Sequence, residues 1–161
     1  MGYAELSNVL WRERELLEIL LFKLEEKQLV LATGRNRWLS HATREVEFVL
    51  EQIRDAELMR AMELDGVHQL LGTSGELSLS TLAELAPPPW NDLFRTHRQA
   101  FMTLTVEITT LSEANRDLLT TGVRSVAEAL VDVGGSTGTY NASGRAPAAG
   151  NAGGRLLDLA F

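Results

Sequence analysis

Apolar residues recur at spacings of three and four over three long stretches of this chain. Between about Ala4 and Thr33, Leu6, Leu10, Leu17, Leu20, Leu24 and Leu31 share one face, interrupted by Glu13 and Lys27. Arg12, Glu15, Glu18, Lys23, Glu25 and Glu26 fall on the opposite face. That period predicts an amphipathic helix. Gly34 predicts its stop. The turn Gly34-Arg35-Asn36 is short, so the next helix is expected to return antiparallel beside the first.

The second stretch runs from about Arg37 to Asp65, with a seam of Leu39, Ala42, Val46, Val49, Ile53 and Ala56. Continuing that register places Arg60 and Glu63 inside, so the stripe is expected to shift to Met59 and Met62. Gly66 predicts a weak point or end, and Val67, Leu70 and Leu71 offer one further turn before Gly72.

Residues 72–89 form a connector. Gly72-Thr73-Ser74-Gly75 is loop chemistry. Thr81-Leu82-Ala83-Glu84 has capping-box spacing, which predicts a short helix over Thr81 to Ala86. Pro87-Pro88-Pro89 ends it and leads into the third long stretch, Pro89 to Val133. There Phe94, His97, Phe101, Leu104, Ile108, Leu111, Asn115 and Leu118 alternate three and four. The set then moves one place, to Leu119, Val123, Val126, Leu130 and Val133. A straight helix drifts about 20° per heptad, so such a shift is expected. Gly122 marks either a bend or close packing.

These lengths do not match. Helices of about 30 residues span roughly 45 Å, and one of about 45 residues spans roughly 67 Å. The third helix should therefore overreach its neighbours at its C-terminal end, leaving Leu119, Val123, Val126, Leu130 and Val133 uncovered. The predicted fold is an all-α, antiparallel three-helix bundle or coiled coil with a long third helix. Residues 1–133 make up the bundle domain. Residues 134–161, rich in Gly and Ala, are expected to be a flexible tail. Tyr140 is the only aromatic residue between Phe101 and Phe161, and the apolar run Leu156-Leu157-Asp158-Leu159-Ala160-Phe161 is suited to docking on a partner or back on this protein.

Composition narrows the function. The net charge is −7; Arg145, Arg155 and Asp158 leave the tail at +1, so the bundle carries −8. That balance argues against nucleic acid and against an anionic membrane surface. No cysteine is present, which removes disulfides, thiolate nucleophiles and thiolate ligands, and fits a cytoplasmic setting. No run of eighteen apolar residues predicts a membrane span, and charges interrupt the N-terminal apolar run where a signal peptide would need continuity.

No catalytic set emerges. His41, His68 and His97 lie in different segments. Asp65-Gly66-Val67-His68 gives half of a carboxylate-x-x-His pair, and a di-metal bundle needs a second pair and two more carboxylates. No metal or cofactor is therefore expected. Gly134-Gly135-Ser136-Thr137-Gly138 lacks the Lys-Ser/Thr ending of a phosphate loop and follows a helix. The protein is expected to be no enzyme. Two readings of the uncovered stripe remain: a surface for another protein's helix, or the self-interface of a homo-oligomeric coiled-coil adaptor. Asn115, polar in an apolar register, either sets that register inside the bundle or contacts a partner.

The order of motifs resembles the FlgN family of flagellar export chaperones. The resemblance rests on Ala56-Glu57-Leu58-Met59-Arg60 followed by Leu70-Leu71-Gly72, on Leu79-Ser80-Thr81-Leu82-Ala83, on Asn115-Arg116-Asp117-Leu118-Leu119, and on Thr139-Tyr140-Asn141-Ala142-Ser143-Gly144-Arg145. It implies a cytoplasmic, non-enzymatic chaperone. Its clients would be the C-terminal helices of hook–filament junction proteins, which it keeps from assembling early and delivers to the type III export gate. It also implies a client-binding region at the end of the third long helix, and an export-gate contact at Tyr140. The protein itself would be a monomer or weak dimer. The Ala/Gly extension after Gly144 departs from the family pattern.

Overall fold

A computed structural model describes residues 2–133. Helix α1 spans Tyr3–Ala32, a short 3₁₀ turn spans Asn36–Trp38, and helix α2 spans Leu39–Leu71. Helix α3 spans Leu79–Leu85 and helix α4 spans Trp90–Val133. There is no strand among the described residues.

The first stop falls where glycine predicts it. Gly34 takes φ 67°, and the amides of Gly34 and Arg35 reach back to the carbonyls of Leu31 and Val30. This double bond pattern satisfies two end carbonyls and requires a left-handed residue, which only glycine adopts without strain. The chain then reverses. Arg60 of α2 meets Glu13 of α1, and Glu45 meets Lys23, so α2 runs antiparallel to α1. Tyr3 packs against Trp90 and Phe94, while Asn115 reaches Leu24, so α4 runs parallel to α1. Helix α1 is the one on which both long partners pack, and α3 packs on α4.

Helix α2 continues through Gly66 to Leu71, the further turn that Val67, Leu70 and Leu71 offered, because Val67 is fully buried and Gly72, at φ 63°, supplies the left-handed cap. Two sequence expectations are corrected. The α2 stripe does not move to Met59 and Met62, both of which face water. The original register holds instead, with Ala56 and Val67 buried and Arg60 turned inward. Helix α3 starts at Leu79 rather than Thr81. Its cap is Ser78, whose hydroxyl accepts from the Thr81 amide, and the earlier start buries Leu79 along with Leu82 and Ala83.

The core is one continuous cluster. It joins Leu6, Leu10, Leu17, Leu20 and Leu24 of α1 to Val46, Val49 and Ile53 of α2 and to Phe94, Phe101, Leu104 and Ile108 of α4. Helices α1 and α2 have 30 and 33 residues, while α4 has 44.

Candidate functional site

Asn115 is the last buried residue of α4; every residue from Arg116 to Asp132 is exposed. If the Leu24–Asn115 register is carried upward, α1 ends level with about residue 123, so length alone would uncover only the last ten residues or so. The seam opens earlier because α1 changes character above Leu24. Lys27 and Gln28 occupy its next inward positions, and Leu31 is only half-buried. Polar side chains there provide no apolar cover.

The uncovered stretch keeps the geometry of a buried one. Phe101, Leu104 and Ile108 pack in the core, and Leu119, Val123, Val126 and Leu130 continue the same helix face beyond it. Their exposures are 41%, 63%, 57% and 66%. Leu118 and Val131 flank them and are exposed as well. Exposed apolar side chains continue one face of the helix here, a kind of surface that monomeric domains rarely leave open over large areas. Val133 closes α4, and Tyr140 lies outside the described residues. Gly122 is not a point of close packing, since a Cβ placed there meets nothing within 4 Å.

Asn115 sits at the boundary. Its Nδ2 donates to the Leu24 carbonyl at 2.9 Å, while its Oδ1 is buried with no partner among the described residues. It therefore ties α4 to α1 at the point where the seam opens, as the register-setting reading expected.

Lower in the bundle lies a group of buried polar side chains. Arg60 Nη1 donates to Glu13 Oε2 at 3.2 Å. Burial pushes the Glu13 carboxyl up to about 7, against the pull of Arg60, with Glu57 adding to the rise. Across α1, the edge of the Trp11 ring meets His97 at 4.9 Å, and Arg14 stacks over the Trp11 face at 4.3 Å. Burial, assisted by Arg14, lowers His97 to about 4, so its ring is neutral near pH 7. Neither ring nitrogen has a hydrogen-bond partner among the described residues. His97 thus belongs to the seam. His68 bonds Thr73 at 3.1 Å, and His41 packs edge-on to Trp38. No cluster of three or more His, Cys, Asp or Glu side chains is placed to hold a metal among the described residues. No described helix is long and apolar enough to cross a membrane.

Leu119, Val123, Val126 and Leu130, which sequence reasoning grouped, lie exposed on one helix face; it passed over Val131, which lies off the seam. It also passed over the outward face of α2, where Leu58, Met59, Met62 and Leu70 are exposed. Period counting assigned the two methionines inward; only the Glu13–Arg60 pairing reveals otherwise.

These features define a class: an all-α bundle protein that presents an open helix face. The sequence profile of the family described as FlgN protein matches residues 1–148, and the chain belongs to that family of flagellar export chaperones. No curated protein and no solved structure matches it significantly.

Proposed function

We propose that this protein is a cytoplasmic chaperone for hook–filament junction proteins. It covers their C-terminal helices, prevents early assembly and delivers them to the flagellar type III export gate. Leu119, Val123, Val126, Leu130 and Val133 form the client-binding face, and Tyr140 contacts the gate. One observation carries this reading: in a member of an export-chaperone family, the bundle seam runs on past Asn115 with nothing seated on it among the described residues.

The mode is helix-in-groove binding. Covering about 600 Å² of apolar surface contributes on the order of 15 kcal/mol gross. Association and ordering costs remove most of that. A carrier that must release its cargo suits such a balance.

The double variant Val126→Asp/Leu130→Asp should lose binding to a junction-protein C-terminal fragment while keeping its helical circular dichroism. Undiminished binding would discard the groove. Tyr140→Ala should bind the fragment normally yet export less of it; normal secretion removes Tyr140 from the mechanism. A concentration-dependent dimer in sedimentation, dissolved by the same double variant, would favour the homo-oligomeric adaptor instead.

A further inference from the structure

The half of α2 from Glu51 to Leu71 is apolar on two opposite faces. Inward lie Ile53, Ala56 and Val67, buried in the core. Outward lie Leu58, Met59, Met62 and Leu70, each more than half exposed. At about 100° and 1.5 Å per residue, these four fall within roughly 120° of one another over about 18 Å of helix, with Gly66 between them. A helix that packs on one side needs a single apolar stripe. The bundle uses the inward stripe, and nothing among the described residues covers the outward one.

The charge around the outward stripe has one sign. Asp55 lies one turn before Leu58 and Met59 on the same face, and Glu51 one turn before that. Asp65 borders the stripe on one side and half-buried Glu63 on the other. The two arginines of this half point elsewhere. Arg60 is turned inward onto Glu13, and Arg54 lies about 100° around the helix from Asp55. The neighbouring exposed cation of α1, Arg12, is held by Glu15 at 2.8 Å.

These side chains select an occupant. Methionine is unbranched and polarisable, and it moulds itself to apolar partners of varied shape. Carboxylates at the rim favour Lys and Arg opposite them and repel acidic partners. A second copy is a poor match. An antiparallel pair of α2 helices centred on the stripe would set Asp65 of one copy opposite Glu63 of the other, like charge against like.

We infer that the outward face of α2 between Glu51 and Leu70 is a docking site for a basic amphipathic helix. The partner's apolar stripe covers Met59 and Met62, and its Lys and Arg side chains meet Asp55 and Asp65. The site is separate from the open end of α4. Arg60 is level with Glu13 near the start of α1, whereas α4 opens beyond Asn115, which is level with Leu24. Met62 and Leu130 are thus about 40 Å apart along the bundle axis. Both faces can be occupied at once, and this inference does not depend on the client reading.

Two synthetic probes test it: a leucine–lysine amphipathic helix and its leucine–glutamate counterpart, each about 18 residues long. Each is titrated against the full chain by fluorescence anisotropy. The lysine peptide should bind at least tenfold more tightly than the glutamate peptide. Met59→Ser/Met62→Ser and Asp55→Lys/Asp65→Lys should each weaken its binding at least tenfold. Phe22→Ser, likewise exposed but on the outer face of α1, should leave it unchanged. All the substituted side chains are exposed, and circular dichroism checks that each variant keeps its helices. The unaltered protein provides a second reading. The methyl resonances of Met59 and Met62 should shift when the lysine peptide is added, and that of Met102 on α4 should not. Binding of neither peptide, or equal binding of both, overturns the inference. So does binding that survives both α2 variants, or Met59 and Met62 resonances that do not move. Self-association of the free chain that Met59→Ser/Met62→Ser abolishes would assign the face to a second copy and overturn the inference as well.

Discussion

Arg60 on α2 reaches across to Glu13 on α1, and their 3.2 Å contact is almost wholly withdrawn from water. Only one carboxylate oxygen is satisfied, since Glu13 Oε1 is buried with no partner among the described residues. A buried pair is costly to desolvate, and breaking it costs more than never having it. Its value here is positional: it fixes the α1–α2 register at the level where Met59 and Met62 would otherwise compete for the interior.

Glu13 gives the fold a pH dependence of unusual sign. Its folded value, about 7, lies above the ordinary 4.5. Between those values the folded protein holds a proton that the unfolded chain has released. The contribution is therefore complete below pH 4.5 and lost as pH rises through 7. Glu13→Gln removes this slope and keeps an oxygen for Arg60. Relative to the parent, the variant should be more stable at pH 8 than at pH 4.5, by on the order of 2–3 kcal/mol. Urea unfolding at both pH values checks this, and an equal difference at the two contradicts it.

His97 acts in the opposite direction. Its folded value, about 4, lies below the ordinary 6.5. Here the unfolded chain binds the proton first, so stability is lost as pH falls from 6.5 towards 4. The two residues oppose each other between pH 4.5 and 6.5, which flattens the parent's profile. His97→Phe keeps an aromatic ring against Trp11 and removes the titration. Relative to the parent it should be more stable at pH 4.5 than at pH 8, by on the order of 2 kcal/mol. The same urea series measures it, and a pH-independent difference would show that the ring is not held neutral.

The helices and their unequal lengths were legible because a 3.6-residue period repeated over thirty or more positions is a strong signal, and Gly34 ends the first one on backbone grounds alone. The inward turn of Arg60 was not legible. Periodicity places a cation outside, yet its long stem packs inside when a buried carboxylate awaits it. Glu13 was visible as an interruption of its own seam, and Arg60 and Glu63 as interruptions of the next; the pairing between them is a tertiary fact. Gly66 looked like a stop because local propensity cannot see Val67 sink into the core. At the site, Leu119 to Leu130 could be read from their stripe. The early opening at Asn115 could not, because it depends on Lys27 and Gln28 following Leu24 on a different helix.

Asn115 poses a test of register against stability. Its amide bond goes to a carbonyl that already serves α1, and its own oxygen is unpaired within the protein. Replacing both halves of a half-satisfied polar contact by apolar surface is close to neutral or favourable. Asn115→Leu should therefore unfold at equal or higher urea concentration, by up to about 1 kcal/mol, while self-association rises because the polar break in the stripe is gone. Equilibrium unfolding and sedimentation read the two effects separately. A clear destabilisation would mean that the Leu24 bond contributes more than its geometry suggests.

Gly122 interrupts α4 within the open arc, and no atom lies within 4 Å of where its Cβ would sit. Alanine there meets no obstacle and restricts the unfolded chain. The backbone at this position is helical, not left-handed, so the substitution carries no strain. Glycine inside a helix costs roughly 1 kcal/mol against alanine. The parent's exposed stretch, with no packing to support it above Asn115, should fray from that point upward. Gly122→Ala should slow amide hydrogen exchange from about Leu118 to Leu130 several-fold, by up to about fivefold for 1 kcal/mol, and leave exchange in α1 and α2 unchanged. Exchange that slows throughout the bundle would mean that the open end is not an independent unit. No change at all would mean that Gly122 is not where the helix yields.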